Sequence, residues 1–143
     1  MRQEQPPKPE IDIFSIHSNK VLAEVTQLRL KLMGPGLMDS WSPYLYTDER
    51  DWAKVFSYIY TVFEMPPYLK GRMNSYGFGI LLKGLVHALF GLNYFGFIIG
   101  EIPEGNHGFN FFRIQGGFRI MEPLNGEFFR WGERGYKPEW VLL

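Results

Sequence analysis

A chain of 143 residues, 45% hydrophobic and 17% aromatic, is sized for one domain and can bury about two-thirds of its unfolded surface without disulfides, which excludes a disordered tail as its main character. Fifteen basic residues against fifteen acidic ones leave no net charge, so no nucleic-acid partner and no anionic-membrane partner is expected. The absence of cysteine excludes disulfides, thiolate metal sites and thiol chemistry together.

In chain order, residues 1–10, "MRQEQPPKPE", read as a flexible Pro-rich arm, and residues 11–143 as a single α+β domain. Val21, Leu22, Val25, Leu28 and Leu32 fall at helical spacing behind a Ser18 cap, and Gly34-Pro35-Gly36 stops that helix. After the loop "LMDSWSPYLYT", Thr47 is placed to cap a second helix, with Trp52, Val55, Phe56, Ile59 and Phe63 on its apolar face and Pro66-Pro67 at its end. A third helix is expected from Ser75 to Phe90, closed by Gly91. Its Gly77, Gly79 and Gly84 each weaken it by about 1 kcal/mol relative to alanine, a cost usually tolerated where a sheet packs close to the backbone. From Asn93 onward the pattern is strands joined by Gly-containing turns at Gln115-Gly116-Gly117 and Asn125-Gly126, which implies antiparallel hairpins. The expected fold class is therefore α+β, with N-terminal helices and a central helix packed on an antiparallel sheet.

No segment reads as a membrane span or secretory signal. The most apolar stretch, 76–100, is interrupted by Lys83, His87 and Asn93, and the N-terminus is polar and Pro-rich. A cytoplasmic or virion-associated location is the corresponding expectation. No His or carboxylate pair has metal-ligand spacing, no phosphate-cradling loop follows a strand, and no GxSxG elbow is present, so neither metal nor cofactor is expected. His17 precedes a helix and His87 lies within one. His107 is different. It opens "HGFNFFRI", where strand alternation sends His107 and Asn110 to opposite faces. A hairpin at Gly116-Gly117 returns the chain so that Glu122 can neighbour His107.

The region from about Tyr68 to the C-terminus, 68–143, carries three short motifs in order: "NSYGFG" (74–79), "NHGFN" (106–110) and "MEPLNGEFF" (121–129). In this it resembles small transglutaminase-like, papain-like cysteine peptidase domains of bacteria and phages, whose nucleophile motif D-C-D-D-F-A begins a central helix. The resemblance implies a papain/transglutaminase-like fold and places Ser75 at the nucleophile, His107 at the base and Glu122 at the residue orienting it. Asn110 matches the strand asparagine, and Asn74 and Tyr76 flank the nucleophile as binding positions. Ser75 stands in place of the cysteine, Asn74, Tyr76 and Gly77 replace the flanking acidic residues, and only Phe78, with Gly79 as a small residue, keeps the first motif.

A serine hydroxyl ionises far above the range in which a helix N-terminus and an imidazolium can preform its anion, so thiolate chemistry does not carry over. The expectation is a pseudoenzyme: a catalytically degenerate domain used for binding or assembly, such as a phage structural component. The alternative is a Ser-His-Glu hydrolase or acyl transferase using Ser75. Adjacent aromatics such as Phe111-Phe112 and Phe128-Phe129 point to both faces of their strands. Such a sheet needs a second cover, either the first two helices or a partner, another protein or a second copy of the chain.

Overall fold

The computed structural model describes residues 5–40, 42–70 and 72–143. Residues 1–4 of the expected arm, Trp41 of the expected loop and Gly71 lie outside these. The elements are β1 (Phe14–Ile16), α1 (Ser18–Gln27), β2 (Lys31–Leu32), β3 (Tyr44–Tyr46), α2 (Glu49–Val62), α3 (Ser75–Phe90), β4 (Phe95–Ile102), β5 (Gly105–Ile114), β6 (Gly117–Met121), β7 (Phe128–Arg130) and β8 (Lys137–Leu142).

Local chemistry accounts for the helix ends. His17, rather than Ser18, caps α1, its Nδ1 accepting the Asn19 N–H at 3.0 Å. Asp48 is the N-cap of α2, with Glu49 and Asp51 in the first turn where the helix dipole favours negative charge. Asn74 caps α3 through Gly77 N–H, and Gly91, at φ 69°, ends it in the left-handed conformation that only glycine adopts without cost. The close approach expected at the helix glycines occurs at Gly79, where an added Cβ would stand 2.6 Å from the Phe97 ring, whereas Gly84 faces open space.

The six-stranded sheet runs β2-β8-β4-β5-β6-β7, and β1 pairs with β3 in a separate two-stranded sheet. The expected papain/transglutaminase-like α+β arrangement on an antiparallel sheet is corrected here. The sheet is mixed, because β2 pairs parallel to β8 with Lys31 opposite Trp140, and the chain is sheet-rich, with eight strands to three helices among the described residues. The physical reason lies at the end of α1. Arg29 takes φ 58°, which reverses the chain and turns Lys31–Leu32 from expected helix into an edge strand.

Both faces of the sheet are buried by the chain itself. On one face, Phe95 and Phe112 are cross-strand partners that stack under Trp52 and Phe56 of α2, and Trp52 donates its Nε1–H to the Arg113 carbonyl. α3 packs on the same face, against Phe97 and Asn110. On the other face, Phe111 lies against Tyr94 and Phe118. Arg113 binds both carboxylate oxygens of Glu24, which tethers α1 over this side. Phe111 and Phe112 are both fully buried, so the two-sided apolar strands require no external cover.

Residues 11–13 join this core through Asp51, whose Oδ2 accepts the Asp12 N–H at 2.9 Å, while the Thr47 hydroxyl donates to the Asp12 carbonyl. That accepted hydrogen bond is the main reason the Asp51 carboxyl is held below its usual range, with Lys54 adding to it. A group lowered on folding stabilises above its unfolded value, and that contribution is lost as pH falls through the folded one. Protection of the Asp12 amide against hydrogen exchange is therefore expected to hold from neutrality to about pH 4 and to decay below it. Asp51→Ala should abolish the protection at every pH.

Candidate functional site

Ser75 is the first residue of α3 and is 7% exposed. Its position follows from where β6 ends. β6 pairs with β5 only as far as Met121 opposite Asn110, so in the six-stranded sheet β5 has no partner on that side beyond Asn110. The Gly108 N–H donates instead to Ser75 Oγ at 3.1 Å. The helix N-terminus thus lies in the gap left by a short strand. Gly108 makes this possible, since an added Cβ would meet the Tyr76 backbone at 3.0 Å. Gly108→Ala should push α3 outward and cost about 1–3 kcal/mol, read as a lower denaturant midpoint with an unchanged slope.

His107 and Glu122 come together. His107 Nε2 hydrogen-bonds Glu122 Oε1, which also accepts the Tyr136 hydroxyl at 2.8 Å; Oε2 accepts the Leu124 N–H at 3.2 Å. Glu122 is 7% exposed, so this carboxylate is a buried junction of three donors. The His107 ring lies 6.2 Å from both Phe109 and Tyr136, centroid to centroid. Burial, then the hydrogen bond to Glu122, drives the Tyr136 hydroxyl well above the usual phenol range. Tyr60 on α2 donates to the Pro123 carbonyl at 2.6 Å, and burial, with the Glu122 charge, raises its hydroxyl as well.

Ser75 forms no hydrogen bond with His107 among the described residues. Its neighbours divide. Asn74 is spent on the helix cap, and Tyr76 is half-buried with its ring 6.3 Å from that of Phe97. Asn110 is fully buried, on the opposite face of β5 from His107. Its Nδ2 donates to the Gly79 and Gly96 carbonyls at 3.0 and 3.1 Å, a clamp between α3 and β4, while its Oδ1 is buried without a partner among the described residues. Sequence reading did not single out Tyr136 or the Gly108 N–H. The first reaches Glu122 only through the return of the chain into β8, and the second is a main-chain group freed by where β6 stops. Among the described residues no three His, Asp or Glu side chains cluster closely enough to hold a metal ion.

No family model and no curated protein matches the chain. Among solved structures it is similar to a PSL1a-E64 complex (TM-score 0.70, 20% identity, 90% of this chain and 51% of that one). It is also similar to the crystal structure of Polyporus squamosus lectin bound to the human-type influenza-binding epitope Neu5Aca2-6Galb1-4GlcNAc (TM-score 0.59, 18% identity, 92% of this chain and 49% of that one). At these identities the likeness is one of fold, and the chain spans about half the length of the structures it matches. The resemblance to transglutaminase-like, papain-like peptidases is corrected accordingly. The two structures named above are a PSL1a-E64 complex and a lectin; neither is named as a transglutaminase-like peptidase, and neither name supports a phage role. The motifs behind that resemblance were short, and the one at Ser75 kept a single aromatic. Among the described residues no helix is long and apolar enough to cross a membrane.

Proposed function

We propose that this chain is a binding module, in which Ser75, His107 and Glu122 order the end of α3 against β5 and do not turn over substrate. One observation carries the reading. The Ser75 hydroxyl is buried and accepts from a main-chain N–H, while His107 Nε2 is committed to Glu122. A serine needs a base in hydrogen-bond contact during attack, and that contact is missing from the arrangement. Fold likeness to a lectin structure makes carbohydrate the first ligand class to try, with a protein or a second copy of the chain as the other candidates. Because the likeness spans half of that chain, the test uses this chain alone on a glycan array, beside fluorophosphonate labelling. Saturable binding competed by free sugar, with no adduct at Ser75, is the expected result.

The second reading, a hydrolase or acyl transferase, is favoured by one feature: an imidazole oriented by a buried carboxylate, one residue before the N–H that contacts Ser75. A stoichiometric Ser75 adduct, lost in His107→Ala, would replace the first reading with this one.

A further inference from the structure

Away from this site, Lys83 lies midway along α3 on the wall of a groove of about 410 Å3. Met38, Ile80, Ala88 and Leu142 give the groove apolar sides, and His87, one helical turn on, lines it too. Met38 and Ile80 are both more than half exposed, so the groove opens to solvent. The Lys83 Nζ has one protein partner, the neutral carbonyl of Phe95 at 2.8 Å, and no ion pair among the described residues. Lys31 and Lys54, by contrast, each face a carboxylate.

We propose that Lys83 is a covalent ligand site that takes small apolar aldehydes as imines. The neutral amine attacks the carbonyl carbon, forming the C–N bond while the C=O π pair moves to oxygen. An N–H proton passes to that oxygen through His87 or water. The resulting carbinolamine expels water to leave C=N, and no oxidant or reductant enters. The apolar walls select the aldehyde, since a charged one would lose its hydration without a counter-charge.

The state of the amine agrees with this geometry. Burial lowers its pKa to about 8, against the opposing charge of Asp39. About a tenth of it is then neutral at pH 7, compared with less than about a thousandth of an ordinary lysine. Of the surrounding elements, the loop before β3 contributes Asp39, α3 contributes His87, β4 the Phe95 carbonyl and β8 the Leu142 side chain.

The test treats the intact protein with hexanal and cyanoborohydride at pH 7 and maps alkylation by peptide mass. Lys83 is expected to react at least about tenfold faster than exposed Lys20 or Lys137. The preference should vanish in the urea-unfolded chain and shrink toward pH 10, where the competing lysines become neutral as well. Glyoxylate, the charged control, should show no preference for Lys83. Equal rates at Lys83, Lys20 and Lys137 in the folded protein overturn the proposal, as does a preference that survives unfolding. Lys83→Arg, with its thermal unfolding checked against the parent, should lose the fast site alone; if fast labelling persists elsewhere in the groove, Lys83 is not the site.

Discussion

Glu122→Ala is expected to destabilise the protein by about 2–5 kcal/mol, the scale of leaving two or three donors without their acceptor at about 1–3 kcal/mol each. Three donors converge on this carboxylate: the His107 imidazole, the Tyr136 hydroxyl and the Leu124 N–H. Alanine leaves the half-buried His107 and Tyr136 donors without this acceptor, and such groups retain much of their desolvation cost. Against a total of roughly 5–15 kcal/mol for a domain, the loss leaves a marginal fold. Glu122→Gln keeps a carbonyl oxygen for His107 and Tyr136 and should lose no more than about half as much. The comparison is made by urea unfolding with both variants. If alanine and glutamine cost the same, and each less than about 1 kcal/mol, the junction does not organise this end of the sheet.

Ser75→Cys is expected to create an acidic thiol. The chain has no other cysteine, so every thiol signal reports position 75. A sulfur there would take the Gly108 N–H that Ser75 Oγ now accepts, at the first residue of a 16-residue helix. Both favour a thiolate, and the expected pKa is about 6–7 in place of about 8.5 for a free thiol. Titration of thiolate absorbance near 240 nm measures this without requiring reagent access, which matters because the site is mostly buried. His107→Ala in the Ser75→Cys background separates the imidazole from the helix end. A midpoint that moves up by about one unit assigns the field to His107, and one that stays assigns it to the helix terminus and Gly108. A midpoint at or above 8.5 in the single variant shows that neither acts on this position, and the three residues are then only neighbours in a scaffold.

The same geometry gives the absence of a Ser75–His107 hydrogen bond its meaning. Ser75 and His107 do belong to one corner, since Gly108 links them directly. Yet a hydroxyl that stays protonated and accepts from the main chain acts as a spacer between helix and strand, where a thiolate would act as a nucleophile. The binding role proposed above rests on that difference and not on any loss of structure.

Much of this corner was legible before the fold was known, and for local reasons. Period-two alternation separated His107 from Asn110, and the Gly116-Gly117 turn brought Glu122 back toward His107. The end of α3 followed from Gly91, a feature a few residues can specify alone, while the Asn74 cap at its start is read from the structure. Asn110 went the other way. The family resemblance made it a binding position, and the structure shows its amide bridging α3 and β4, a contact that alternation along a strand could not reveal because it says nothing of which element lies above.

Periodicity, caps and turns within short reach along the chain specified three helices and a C-terminal run of hairpin strands, and allowed Glu122 to return beside His107. Long-range packing set the rest. It made Lys31–Leu32 a parallel edge strand, tethered α1 over the second face of the sheet, delivered Tyr136 to Glu122 and set Ser75 against Gly108. Each of these joins residues far apart in the chain or turns on where a neighbouring strand stops, and burial, not local pattern, selects among such pairings.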